Sequence, residues 1–136
     1  MSQGVTYDTG MLIALERYKS RALHIHERLI ERAVRATVPM VVVAEWWRGR
    51  TDDREDILRS VDVEVGEPCR LVAKVAGEAL ARVHTKREDQ MCRSKLLVDA
   101  VVMASASLRR DIVYTSDMDD LSRLGVSFPG VRLLAV

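Results

Sequence analysis

The sequence predicts an α/β domain with a mainly parallel sheet, on three observations. First, the β-branched runs "MVVVA" at 40–44 and "DIVYT" at 111–115 have the unbroken apolar character of strands buried on both faces. Second, stretches of helical apolar period separate such runs, and strands that alternate with helices build parallel sheets. Third, 136 residues supply one sizeable core. With no internal repeat, low-complexity tract or Pro/Gly-rich linker, residues 1–136 are read as a single domain.

The elements follow in order. A first strand is expected at 4–7 ("GVTY"), running into Asp8-Thr9-Gly10. "MLIALERY" has a helical period, and a second helix is expected over 20–36 with Leu23, Leu29, Ile30, Ala33 and Val34 as its apolar face. Pro39 marks the entry to the strand at 40–44, and "EWWRG" reads as a short helix ended by Gly49. Thr51, Asp52 or Asp53 can cap a helix over 52–60. "VDVEV" at 61–65 alternates as a half-buried strand does, and Pro68 suits the first turn of a helix over 68–83. "HTKREDQMCR" at 84–93 is polar and aperiodic, hence a loop; Ser94 can then cap a long helix reaching Arg110. The strand at 111–115 and a last strand, "VRLLAV", complete the sheet.

Composition narrows the function classes. A 48% hydrophobic and 30% charged chain folds rather than staying disordered. With only 4% aromatics its core must come from Val, Leu, Ile, Ala and Met, and Met40 and Met103 read as core filling. A net charge of +1 gives no global sign of a polyanionic partner, so nucleic-acid binding would need local segregation of charge. Cys69 and Cys92 match no metal-ligand spacing and read as reduced thiols. The N-terminus lacks signal-peptide regions, and Asp99 interrupts the longest apolar run before it reaches a membrane span. A soluble, cytoplasmic protein without a membrane partner is the expectation.

The acids carry the chemical signal. Asp8 follows the first strand, Glu45 the run at 40–44 and Asp117 the "IVYT" strand. Ligands of open parallel sheets bind outside the carboxyl ends of the strands, so these three should converge. Asp99 sits in "KLLVDAVVMASA", where an unpaired ionised carboxylate costs several kcal/mol. An i,i+4 pair with Lys95 returns only roughly 0.2–0.5 kcal/mol. A shared multivalent cation compensates better. Each acid also has a structural reading: Asp8 or Thr9 as a helix cap, Glu45 in a favourable first turn, and Ser116 with Asp119 as a capping pair. None of these explains why the acids gather at strand ends and on a buried helix. Four carboxylates without His or Cys define a hard oxygen site for Mg²⁺ or Mn²⁺, suited to phosphodiester hydrolysis.

"YDTGMLIAL", "VVVAEWWRG", "LLVDAVVMASA" and "VYTSDMDDL" occur in that order. Together they resemble the four acidic motifs of PIN-domain ribonucleases, most closely VapC-type toxins of toxin–antitoxin pairs. The resemblance spans nearly the whole chain and implies a three-layer α/β/α sandwich with Asp8, Glu45, Asp99 and Asp117 as the catalytic metal-site acids. It implies Asp120 as an outer-shell acid and Thr115 as a hydroxyl that orients a carboxylate or the water, with Thr9 and Ser116 beside them; Asp119 matches no required position. It further implies Mg²⁺- or Mn²⁺-dependent cleavage of structured RNA such as tRNA or rRNA, a homodimer and a cognate antitoxin. The polar 84–93 segment is longer and more charged than the usual approach to the third motif.

Trp46 and Trp47, adjacent on a helix, diverge by about 100° and cannot both enter the core, so one is a candidate surface for a partner or a base. Arg48, Arg50, Lys86, Arg87, Arg93 and Lys95 lie near the motifs as candidate RNA or antitoxin contacts. His24 and His26, two residues apart, make a poor metal pair, and His84 falls in the polar loop. Two other functions fit part of the pattern. One is a PIN nuclease of RNA processing or acting on DNA. The other is a phosphoacceptor receiver domain, against which the lone Asp8 at the first strand and the helical positions of Glu45 and Asp99 argue.

Overall fold

The computed structural model describes residues 4–82 and 90–136, and for 90–95 the backbone alone. Five parallel strands, β1 (Val5–Tyr7), β2 (Thr37–Val38), β3 (Asp62–Val63), β4 (Ile112–Thr115) and β5 (Arg132–Ala135), form one sheet in the order β3-β2-β1-β4-β5. Among the described residues seven helices connect them: α1 (Thr9–Glu16), α2 (Ser20–Glu31), α3 (Met40–Trp46), α4 (Asp52–Arg59), α5 (Glu67–Arg82), α6 (Gln90–Arg109) and α7 (Met118–Leu124). The chain starts in the middle of the sheet, builds outward through β2 and β3, then returns to the other side of β1 with β4 and β5. This is the expected three-layer α/β/α sandwich. On β1, Tyr7 turns to α2 and Thr6 to α6, as their hydrogen bonds to His26 and from Arg109 record. A receiver-like domain of flavodoxin type has strand order 2-1-3-4-5 instead, so the sheet order excludes that alternative.

The core is aliphatic, as the composition requires: Leu12, Leu15, Val38, Val42, Leu96, Val102, Met103, Val113 and Leu121 are all buried. Met40 is not part of it. It is 53% exposed, because the residues at 40–44 are not a strand. They open α3, with Pro39 (φ −60°) as the N-cap. Strand pairing is confined to Thr37 and Val38 just before that proline. The run satisfies a helix because Val42 and Trp46, one turn apart, are buried, with Val41 and Val43 packed beside them. Packing has overridden the β-propensity of three consecutive valines.

Helix ends account for the other differences. α2 stops at Glu31 rather than 36, leaving Ile30 57% exposed and Ala33 exposed instead of on a buried face. Ala33 takes φ 56°, its N–H bonds Ile30 O (3.0 Å), and Val34 N–H bonds Leu29 O (2.9 Å). These are the two bonds of a Schellman C-cap, made without glycine. α1 closes the same way at Tyr18 (φ 56°), through Tyr18 N–H to Leu15 O and Lys19 N–H to Ala14 O. α6 begins at Gln90, so 90–93 are helical rather than looped and Ser94 is not its cap. Residues 84–89 of the expected loop, with His84, lie outside the described residues. The half-buried strand at 61–65 shrinks to Asp62–Val63, and Val65 is 62% exposed. The cap of the 52–60 helix is Thr51, whose Oγ1 accepts from Arg54 N–H (3.1 Å).

Candidate active site

The sheet reverses its direction of growth between β1 and β4. Such switch points leave a crevice at the carboxyl ends of the strands. Parallel pairing of Tyr7 with Tyr114 brings Asp8 level with Thr115 at that edge. Asp8 is buried and caps α1, its Oδ1 accepting from Met11 N–H at 2.8 Å. Its Oδ2 accepts from the hydroxyl of Thr115, which in turn accepts from Asp117 N–H at 2.8 Å. Thr115 therefore locks the Asp8 carboxylate to the backbone that carries Asp117. Gly10 makes this close approach possible: a Cβ there would stand 2.0 Å from Ser116 Oγ.

Asp117 is exposed and caps α7, its Oδ1 accepting from Asp120 N–H at 3.5 Å. The capping register is thus Asp117 with Asp120, one residue later than the expected Ser116–Asp119 pair. Ser116 packs over Gly10, and Asp119 is an exposed first-turn acid of α7, well placed for the helix dipole. Glu45 is exposed in the last turn of α3, not the first turn of a following helix. Asp99, half-buried in mid-α6, completes the group.

Electrostatics show that these acids share one space. Burial, and then the charges of Asp117 and Glu45, push the Asp8 carboxyl up to about 6, against the lowering effect of its bonds to Thr115 and Met11. Burial pushes Asp99 up to about 7, reinforced by Asp8, Asp120, Asp117 and Glu45. Among the described residues, every charge acting on Asp99 is negative. Asp120 is raised as well, first by its hydrogen bond to Asp117. Residues scattered over more than a hundred positions of sequence repel one another at a single edge. That is the environment in which a cation is favoured.

As they stand, no three acids among the described residues are grouped to ligate one ion directly. The donor set fits a hydrated hard cation, since Mg²⁺ keeps several waters and takes only one or two carboxylates. Beside the acids, Thr9 Oγ1 is buried without a hydrogen-bond partner among the described residues. Thr9 and Glu45 also line an open cleft of about 580 Å³ that continues between α1 and α3.

The flanking candidates divide. Trp46 is buried (3% exposed), with its indole N–H on Glu16 Oε2 at 3.2 Å, so it is a core residue and not a partner contact. Trp47 is half-buried, packed edge-on against Trp46 at 5.9 Å. Arg48 and Arg50 are exposed, Arg50 in a 3.4 Å pair with Glu55. Lys86 and Arg87, and the side chains of Arg93 and Lys95, lie outside the described residues.

Two buried polar networks had no signal in the sequence, because each joins residues remote in the chain. Arg109 reaches Thr6 Oγ1 (2.9 Å), Ser105 Oγ (2.7 Å), Asp111 Oδ2 (2.9 Å) and Glu64. On the other face Ser60 Oγ donates to Ile57 O (2.6 Å) and so accepts from His26 Nε2–H (2.9 Å). That leaves His26 Nδ1 to accept from the Tyr7 hydroxyl (2.8 Å), and burial lowers the His26 pKa. His26 is therefore a structural link between layers.

No family model matches the sequence, and no curated protein matches it. Seven chains of solved structures do match. One belongs to the crystal structure of VapBC2 from Rickettsia felis bound to a DNA fragment from its promoter. It has a TM-score of 0.64 at 13% identity, over 97% of this chain and 98% of that one. A likeness at that identity speaks for architecture. Over the described residues, the chain has the three-layer, all-parallel PIN-like fold.

Proposed function

We propose that the protein is a Mg²⁺- or Mn²⁺-dependent endoribonuclease, the toxin of a toxin–antitoxin pair, with Asp8, Glu45, Asp99 and Asp117 as its metal-site acids. One observation carries the reading: four acids from four separate segments act on one another at the switch point of the sheet, with Asp8, Asp117, Asp120 and Glu45 all raising Asp99. The likeness to a VapBC2 chain supports the toxin–antitoxin part. A cognate antitoxin and a second copy of this chain are the protein partners proposed with it, and structured RNA is the substrate.

When bound, the cation supplies an activated water and neutralises charge on the phosphate. The chain's own residues position and tune. Met11 N–H and Thr115 fix both oxygens of Asp8, leaving a lone pair on each for the ion or its waters. Asp117 stands on the same Thr115 hydroxyl, so the two acids keep a constant relation. Asp120 bears on Asp117 through the cap of α7 and acts as an outer support. Glu45 and Asp99 close the group from α3 and α6. The Thr9 hydroxyl, buried beside the cleft without a hydrogen-bond partner among the described residues, would be satisfied by a bound water.

The test is incubation of the purified chain with total RNA and Mg²⁺ or Mn²⁺, with and without EDTA, beside Asp8→Asn. Chelator-sensitive cleavage by the wild type, absent from the variant, is the expected result. Cleavage by Asp8→Asn at the wild-type rate would sink the assignment. A nuclease acting on DNA is distinguished by offering single- and double-stranded DNA in parallel.

A further inference from the structure

The cleft that opens beside the acids has a far end that the proposed reaction does not use. α1 runs along it from Thr9 at the acid end to Arg17 at its C-cap, about 12 Å away at the helical rise. Arg48, three residues beyond Glu45, lines the cleft as well. Its internal acid is already satisfied: Glu16 Oε1 lies 2.6 Å from Arg54 Nε, and Oε2 accepts from Trp46. Arg54 is thus committed to Glu16, and Arg50, outside the cleft, to Glu55. Arg17 and Arg48 are exposed, and neither has an ion-pair partner among the described residues. Glu45 stands at the acid end of the cleft, Arg17 marks its other end, and Arg48 lines the wall three residues on from Glu45.

We infer that Arg17 and Arg48 form a phosphate subsite that holds the single-stranded RNA backbone flanking the scissile phosphodiester. The inference rests on the nuclease reading. Guanidinium forks match phosphate oxygens, and contacts of this kind fix the register of a strand without reading its bases. An acidic polypeptide fits less well, because its carboxylates would meet the acids at the near end, whereas a nucleic acid arrives with cations of its own. The distance along α1 keeps Arg17 off the reacting phosphate. Loss of the pair therefore raises KM and leaves kcat nearly unchanged.

The experiment measures fluorescence anisotropy of a short labelled single-stranded RNA with the full chain in EDTA, titrated with salt. Arg17→Gln/Arg48→Gln is expected to weaken binding about tenfold and to lower the slope of log K against log[salt] by about 1.4, two single-strand contacts' worth. Arg17→Lys/Arg48→Lys should retain the slope, and Arg35→Gln, at the opposite edge of the sheet, should match the wild type. An unchanged slope in the double glutamine variant overturns the subsite, as does an equal effect of Arg35→Gln. Competition by a poly-glutamate peptide as effective as unlabelled RNA of equal charge also overturns it, making the cleft a polypeptide site. Binding is read without metal or cleavage. A chain that binds RNA through both arginines and never cuts keeps the subsite and loses only the nuclease reading; one that cuts, with wild-type KM in the double variant, does the reverse.

Discussion

At the scale of single residues, the three acids of "SDMDD" have different surroundings and so different expected losses. Asp117→Asn should abolish RNA cleavage, Asp120→Asn weaken it and Asp119→Asn leave it nearly intact; initial rates on one RNA rank them, and the reverse order would refute the assignment. Asp8 and Asp99 also make a stability prediction. Both are raised in the folded chain, from 3.8 to about 6 and about 7. The contribution is therefore fully present below their unfolded value and is lost as pH rises through those folded values. For the buried Asp8 this is roughly 3 kcal/mol. In EDTA, Asp99→Asn should melt higher than wild type at pH 8 and by a smaller margin at pH 5. Mn²⁺ should raise the wild-type Tm at pH 8, and a metal-independent Tm there would argue against a cation at these acids. The gathering of Asp8, Asp99 and Asp117 was legible in the sequence, because an aspartate amid "LLV" and "AVVM" needs a reason and strand ends offer one, whereas Glu45 joins them from α3 and not from the strand expected at 40–44. Which of Trp46 and Trp47 is the core residue was not legible, since the Glu16 that holds the Trp46 indole N–H lies 30 positions away.

At the scale of elements, what the sequence concealed was where helices stop and which valines are helical. Glycine is the usual mark of a Schellman cap, and α1 and α2 close on Tyr18 and Ala33 instead. A left-handed non-glycine residue costs roughly 1–2 kcal/mol, part of which glycine returns to unfolded-state entropy. Ala33→Gly, at an exposed position, should therefore raise stability by about 0.5–1 kcal/mol in urea titrations. The run "VVV" misled because β-propensity is local while α1 and α6, against which α3 packs, are not. The long, periodic helices were readable for the opposite reason: α5 was expected within a residue of its start. The joint between α1 and the 115–117 loop gives a sharper element-level test. Gly10→Ala puts a Cβ against Ser116 and must displace the backbone that carries Asp117. A loss of about 1–3 kcal/mol by thermal melting is expected, with cleavage reduced further than stability explains.

At the scale of the whole molecule, burial decides which charges hold the layers together. Arg35 and Asp62 form a 2.7 Å pair, but their side chains are 51% and 61% exposed, so it is worth at most about 1 kcal/mol. Arg109 is different: its partners Glu64 and Asp111 have side chains only 8% and 5% exposed. Arg109→Leu should cost about 3–5 kcal/mol by strapping neither acid, whereas Arg35→Leu should cost under about 1. Equal losses in chemical denaturation would refute that division. The central strand also has a consequence for synthesis. β1 is made first, yet its partner across the switch point, β4, is separated from it by about a hundred residues of chain. A ribosome that has reached Arg110 has already joined Asp8, Glu45 and Asp99 to the chain but not the strand and hydroxyl that lock Asp8 in place. Contacts so distant in sequence form late. If the chain is a toxin, its own connectivity keeps every nascent copy harmless until the last fifth has emerged, which leaves an antitoxin time to meet it.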